Sequence, residues 1–214
     1  MKKQLLFILL SLFVTIFSYA QVNKNAIFLG GDIGASSQKT KNNTGTTVNK
    51  LNSVFVSPVF GKAVKDNLVV GGDVSFSSSK DEYTLYNVRD EKALGAGIFA
   101  RKYKTLGKSN FLLFLQGRLG YAYTKTESYI STPYVTTSKR HNIGVNVYPG
   151  ISYALSRKLQ LETGLNNLLS LNYFTEKSNT AQPVPVIART NGINISSSID
   201  NFSSLYIGFR VLIN

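Results

Sequence analysis

The chain has 214 residues, no Cys, no Trp, and 24 Lys+Arg against 11 Asp+Glu, for a formal charge of +13. Without Cys, disulfides, thiolate metal sites, Cys nucleophiles and a lipidated N-terminal Cys are excluded. With 43% hydrophobic, 12% aromatic and 16% charged residues the chain is too apolar to be disordered, and its length is that of a single domain.

Lys2 and Lys3 precede an apolar run from Leu5 to Phe17, and Ser18-Tyr19-Ala20 supplies small residues where a signal peptidase reads. Residues 1–20 are therefore expected to be a signal peptide cleaved before Gln21, leaving 21–214 as one domain. A transmembrane helix anchor is the competing reading, but the run is short and no basic stop-transfer cluster follows it. No long continuous apolar segment occurs later. A membrane protein made from the remaining chain would have to be a closed barrel, which satisfies its backbone without helices.

The first strand runs from Ile27 to Ser36, with Ile27, Leu29, Ile33 and Ala35 on one parity and Phe28, Gly30, Asp32, Gly34 and Ser36 on the other. Gln38 to Lys50 reads as a polar loop with Asn-Asn-Thr-Gly turn chemistry. In the second strand, Leu51 to Ala63, Val54, Val56, Pro58 and Phe60 compete with Phe55 and Val59 for the apolar face, and Pro58 removes a ladder donor. After a tight turn at Lys65-Asp66-Asn67, the third strand sets Leu68, Val70, Val74 and Phe76 against Val69, Gly71, Asp73 and Ser75. The strings Gly30-Gly31-Asp32-Ile33 and Gly71-Gly72-Asp73-Val74 echo each other, placing an Asp on the wet face of both strands.

Ser79 to Glu91 is a second long polar connection, followed by Leu94, Ala96, Ile98 and Ala100 alternating with Gly95, Gly97, Phe99, Arg101 and Tyr103. A short Gly-containing turn leads to the clearest strand, Phe111 to Tyr123, where Leu113, Leu115, Leu119 and Tyr121 oppose Gln116, Arg118, Gly120 and Ala122. Its length is near the ~9–11 residues that a tilted strand needs to cross a bilayer. Lys125 to Arg140 is a third long connection, and Ile143, Val145, Val147 and Ile151 define the sixth strand. Ser156-Arg157-Lys158 turns the chain into Leu159, Leu161, Thr163 and Leu165, opposite Gln160, Glu162 and Gly164. From Leu168 to Phe174 the alternation blurs, and Glu176 to Asn201 is read as the longest connection, containing Pro183 and Pro185 and no strand of its own. Leu205, Ile207, Phe209, Val211 and Ile213 form the last strand, opposite Tyr206, Gly208, Arg210 and Leu212. The expected fold is all-β: an eight-stranded antiparallel up-and-down transmembrane β-barrel with a polar interior, its connections alternately long and short.

Charge placement separates a membrane barrel from a soluble one of the lipocalin type, whose polar face would meet water. Lysines fall mostly in loops and turns, while the wet faces of strand centres carry Gly, Ser, Asn and Gln plus six charges: Asp32, Asp73, Arg101, Arg118, Glu162 and Arg210. Three acids and three arginines projecting into a narrow lumen can neutralise one another, and a planar guanidinium does this better than an ammonium. These six are expected to form an interior charge network. Tyr121, Tyr123 and Tyr153 lie towards strand ends, where an interfacial girdle would be.

The leader, Ser57-Pro58-Val59-Phe60-Gly61 to Asp66-Asn67-Leu68, Gly97-Ile98-Phe99-Ala100-Arg101-Lys102-Tyr103 and Leu119-Gly120-Tyr121 resemble the small outer-membrane β-barrel family of Bacteroidota, related in architecture to the OmpA membrane domain and OmpX. Tyr206, Gly208, Val211 and Ile213 resemble the C-terminal sorting signal read by the barrel assembly machinery, although the last residue is Asn214 instead of Phe. The resemblance implies a monomeric outer-membrane protein with a structural or surface-interaction role exercised through four extracellular loops and their ligand. It carries over no catalytic residue.

Other signals are weighed against that reading. Gly95-Ala96-Gly97 resembles a dinucleotide fingerprint but lacks the strand-to-helix context. Asp32 and Asp73 read as members of the structural network and not as an acid pair. His141, the one histidine, lies near Ser138, so a lipid A-modifying hydrolase is the enzymatic alternative; a narrow channel is the other. Asn42-Asn43-Thr44 and Asn194-Ile195-Ser196 match a glycosylation string weakly. No cofactor, metal or nucleic acid is expected, since no aromatic-basic stripe accompanies the positive charge. The expected partners are outer-membrane lipids and lipopolysaccharide, whose phosphates would meet Lys125, Lys139 and Arg140 at the loop bases.

Overall fold

The computed structural model describes residues 22–41, 47–84, 87–107, 109–130, 134–165, 168–181, 186–197 and 205–213. Residues 1–21, which include the expected signal peptide, Asn42-Asn43-Thr44, Pro183, Pro185 and Asn214 lie outside them. Ten strands form one antiparallel sheet: β1 Ile27–Lys41, β2 Thr47–Lys65, β3 Leu68–Thr84, β4 Asn87–Thr105, β5 Phe111–Ile130, β6 Tyr134–Ala154, β7 Leu159–Leu165, β8 Leu169–Ala181, β9 Val186–Ser196 and β10 Leu205–Ile213.

The pairing closes the sheet on itself. Each of β1 to β6 pairs with the next, β6 pairs with β7, β7 with β10, and β10 with β1, a ring of eight. The other two strands extend two staves of that ring. β8 continues the line of β7 along β6, and β9 pairs with β8 and runs in the direction of β10. The blurred alternation after Leu165 thus has a physical source: β7 breaks off there and β8 restarts at Leu169.

Four expectations about connections are corrected. Gln38 to Lys50, Ser79 to Glu91, Lys125 to Arg140 and Glu176 to Asn201 are in large part strand, because β1–β2, β3–β4, β5–β6 and β8–β9 continue as hairpins beyond the apolar rows. Ser, Thr and Lys in these stretches hide no apolar period, but cross-strand pairs such as Ser138 Oγ to Ser178 Oγ, 2.6 Å, and Thr136 Oγ1 to Thr180 Oγ1, 3.1 Å, tie them together. β5 and β6 reach 20 and 21 residues, roughly twice what a bilayer requires. The opposite end has tight turns. Asn67 takes φ 60° and Gly107 φ 58°, the left-handed region that Asn and Gly tolerate.

Burial is inverted relative to a water-soluble protein. Ile98 is 65% exposed, Phe60 62%, Ile207 56% and Leu115 53%, whereas Arg101 is 1%, Glu162 1% and Arg210 0% exposed. The outward rows around the ring, among them Val54, Phe60, Val74, Ile98, Leu119, Val145, Leu171 and Phe209, form a continuous apolar belt. A belt of that extent needs a lipid partner, so the barrel spans a bilayer. The second strand's ambiguity resolves: Val54, Val56 and Phe60 are exposed on the belt, and Val59 is buried in the interior. At Pro58, which lacks a ladder donor, the β2–β3 pairing is interrupted between Val56–Phe76 and Val59–Asp73 without a change of register.

Candidate functional site

The interior is built in layers from the turn end upward. Val22, Ala26, Phe28, Ala63, Val69, Leu112 and Leu212, each at most 3% exposed, fill the floor. The stretch before β1 seals it: Asn67 N donates to Val22 O at 2.8 Å, Val22 N to Asn67 Oδ1 at 3.2 Å, and Lys24 N to Asp66 Oδ1 at 2.8 Å.

Above the floor lie the six interior charges. Glu162 on β7 bridges two guanidiniums, accepting from Arg101 Nη1 at 2.7 Å and from Arg210 Nη2 at 2.5 Å. Arg101 Nε also donates to Gln116 Oε1 at 2.5 Å and Nη1 to Tyr103 OH at 3.1 Å, while its carbon Cζ lies 4.3 Å from the Phe114 ring centroid. Arg210 reaches Asp32 on the neighbouring strand and donates to Gly31 O at 2.8 Å. Arg118 forms a fork with Asp73, Nε to Oδ2 at 2.8 Å and Nη2 to Oδ1 at 2.6 Å. Three cations thus face three carboxylates in two groups, one around Glu162 that is fully buried except at Asp32 and one partly exposed at Arg118–Asp73.

Glycines give these side chains their room. A Cβ on Gly97 would sit 2.7 Å from the Arg118 guanidinium, and one on Gly208 would lie 3.0 Å from both Arg210 Nη1 and Glu162 Cγ. Gly97, the last residue of the Gly95-Ala96-Gly97 string, therefore makes room for Arg118. Between the charges and the hairpins a cavity of ≈ 230 Å³ is lined by Asp32, Ser57, Asp73, Gln116, Arg118 and Tyr148, among others. Higher still, a cavity of ≈ 260 Å³ lies among the hairpins, bordered by Glu91, Thr126, Arg140, Asn172 and Glu176.

The hairpin end carries the remaining candidates. His141 stands on the outward row, exposed, with Nδ1 2.6 Å from Tyr121 OH and its ring 5.2 Å from that of Tyr123. Ser138 is on the inward row and bonds Ser178, so the two residues a hydrolase would use lie on opposite faces of β6. Arg140 is also inward, with Cζ 3.8 Å from the Phe174 ring centroid, which removes it from the outer surface where phosphate contact was expected. On the outward rows, Lys80 pairs with Glu82 at 2.7 Å and Lys125 with Glu127 at 2.6 Å. These hydrogen bonds hold the Glu82 and Glu127 carboxyls below their ordinary values and the two ammoniums above theirs. No group of three or more metal-ligating side chains occurs among the described residues.

With this geometry in hand, solved structures supply a comparison. A major outer membrane protein from Thermus thermophilus superposes at a TM-score of 0.50 and 9% identity, over 88% of this chain and 98% of that one. The shared property is the fold. Neisserial surface protein A matches at a TM-score of 0.41 and 20% identity, over 87% of this chain and 94% of its own. The translocator domain of the autotransporter NalP from Neisseria meningitidis matches at 0.44 and 8%, over 99% and 94%. At such identities the likeness concerns architecture and extends to no binding or activity. No family model matches the chain, and no curated protein is similar to it.

Sequence reasoning did not find the hairpin strands or the contacts that Gln116 and Tyr103 make with Arg101. The signal for the second was present: Gln and Tyr recur on the inward parity beside Arg101, Arg118 and Glu162.

Proposed function

We propose that this chain is an outer-membrane protein of the small Bacteroidota type, with OmpA-domain or OmpX-like architecture, exported by its leader and inserted as a monomer by the barrel assembly machinery. Its role is structural or interactive, exercised by four hairpins on the cell surface, with the short turns in the periplasm. The observation that carries this reading is the asymmetry of the barrel: one end closed by a packed apolar floor, the other prolonged into long polar hairpins.

Neither alternative gains support. Conduction needs a continuous aqueous path, and Arg101, Glu162 and Arg210, at most 1% exposed, stand above a floor whose residues Val22, Phe28, Val69 and Leu112 are 0% exposed. A hydrolase needs its nucleophile and base on one face, and Ser138 and His141 are not. The test is fractionation of cells followed by gel migration with and without boiling, combined with protease treatment of intact cells. Outer-membrane recovery, a heat-dependent shift and cleavage within the hairpins are expected. A soluble or inner-membrane distribution would overturn the location, and protection of every hairpin would overturn the surface role.

A further inference from the structure

On the outer surface, charge changes in a fixed order along every strand that rises to the hairpin end. Moving up from the apolar belt, the first formally charged outward residue is a cation in all eight: Lys39 on β1, Lys50 on β2, Lys80 on β3, Lys92 on β4, Lys125 on β5, Lys139 on β6, Lys177 on β8 and Arg189 on β9. Where an outward acid occurs, as Glu82, Asp90 and Glu127 do, it lies further out than the cation of its own strand. Five of the cations are directly opposite one another across neighbouring strands, in the register Lys92–Lys125–Lys139–Lys177–Arg189. At the turn end, outward strand positions carry Lys62, Lys65, Lys102 and Lys104 among the described residues.

Like charges set opposite across a ladder destabilise the sheet. Lys92, Lys139, Lys177 and Arg189 form no ion pair among the described residues, whereas Lys80 and Lys125 do. Three of these, Lys139, Lys177 and Arg189, are direct neighbours on β6, β8 and β9, where a groove of ≈ 440 Å³ is lined by them with His141, Thr175, Thr190, Asn191 and the acid Glu176. Strands are ~4.8 Å apart, so adjacent ammonium and guanidinium groups can hold separate oxygens of one or two phosphates. Hydroxyl, amide and imidazole groups beside them suit a sugar.

We propose that this collar, and the β6–β8–β9 groove in particular, binds a glycolipid carrying two phosphates in the leaflet on the hairpin side. The site directly above the acyl-facing rows Ile143, Tyr173 and Ile193 fits a molecule whose chains lie along the belt and whose phosphorylated sugars stand at its rim. A phospholipid with one negative charge would leave most of the row unopposed. The inference rests on the membrane orientation proposed above, and its test is separable from it.

The mature chain, folded in zwitterionic micelles, is mixed either with a bis-phosphorylated disaccharide lipid or with phosphatidylglycerol, and retained phosphorus is measured after gel filtration. The glycolipid should be retained in preference to phosphatidylglycerol, and K139S/K177S/R189S should lower its retention at least about tenfold. K62S/K102S/K104S at the turn end should leave retention unchanged. Equal retention by the collar variant, equal loss in the turn-end variant, or equal binding of phosphatidylglycerol would overturn the proposal. Should the collar variant fail to show a heat-dependent gel shift, the wild type decides alone: retention must fall as salt is raised from roughly 0.05 to 0.5 M, and salt-independent retention overturns the site. A barrel that shifts on heating but retains no glycolipid would remove the collar site and leave the barrel reading intact.

Discussion

Inside the barrel, three guanidiniums meet three carboxylates. Outside, at the rim of the belt, lysines stand opposite lysines. The difference follows from what surrounds each set. In the lumen no external counter-ion can arrive at Arg101 or Arg210, so the chain has to supply the opposite charge itself. At the rim, water, salt and lipid headgroups can neutralise an ammonium, so the sequence is free to leave cations uncompensated and available to a partner. One chain thus uses Arg for self-contained pairing and mainly Lys for contact with its surroundings, which matches the fork geometry of the one and the hydrated point charge of the other.

The comparison predicts a graded set of losses. The largest belongs to Glu162→Gln, which leaves two buried guanidiniums sharing a neutral amide; by analogy with broken buried pairs it should cost about 3–5 kcal/mol. A lower denaturant midpoint for loss of the compact gel form checks this, and an unchanged midpoint would mean that the lumen is wet. Next comes Gly208→Val, whose added methyls enter the space between Arg210 and Glu162. Overpacking of this kind costs about 1–3 kcal/mol, read by the same titration. Asp73→Asn should cost less than Glu162→Gln, because Arg118 keeps 18% of its side chain exposed at the ≈ 230 Å³ cavity and water can replace part of the lost contact. Were Asp73→Asn the more damaging change, the assignment of Glu162 as the centre of the network would be wrong.

The barrel was legible because alternation with period two survives wherever one face meets lipid, as from Leu113 to Tyr121. The same rule placed Asp32, Asp73, Arg101, Arg118, Glu162 and Arg210 on the inward parity. It could not say which acid meets which arginine, since partners such as Arg101 and Glu162 are 61 residues apart and their meeting depends on barrel closure. The hairpins were illegible for the opposite reason. Above the belt both faces are polar, so Thr136 and Thr180 or Ser138 and Ser178 pair without any hydrophobic period to announce them. That loss of signal also concealed which face Arg140 and Ser138 take, and a one-residue difference in parity separates both from the outward row of Lys139 and His141.

The smallest expected effect is also the one of opposite sign. Lys139 is flanked by Lys125 on one side and Lys177 on the other, so Lys139→Ser relieves repulsion along the row. In zwitterionic micelles the variant should be as stable as the parent or more stable, by roughly 0.2–1 kcal/mol. In micelles containing a phosphorylated lipid the order should reverse, because the parent then gains a counter-ion that the variant holds less well. Paired denaturant titrations in the two micelles measure both signs with one protein. A Lys139→Ser variant destabilised equally in each would show that the row is held by contacts within the chain, and the contrast between a self-neutralised lumen and an externally neutralised rim would fail.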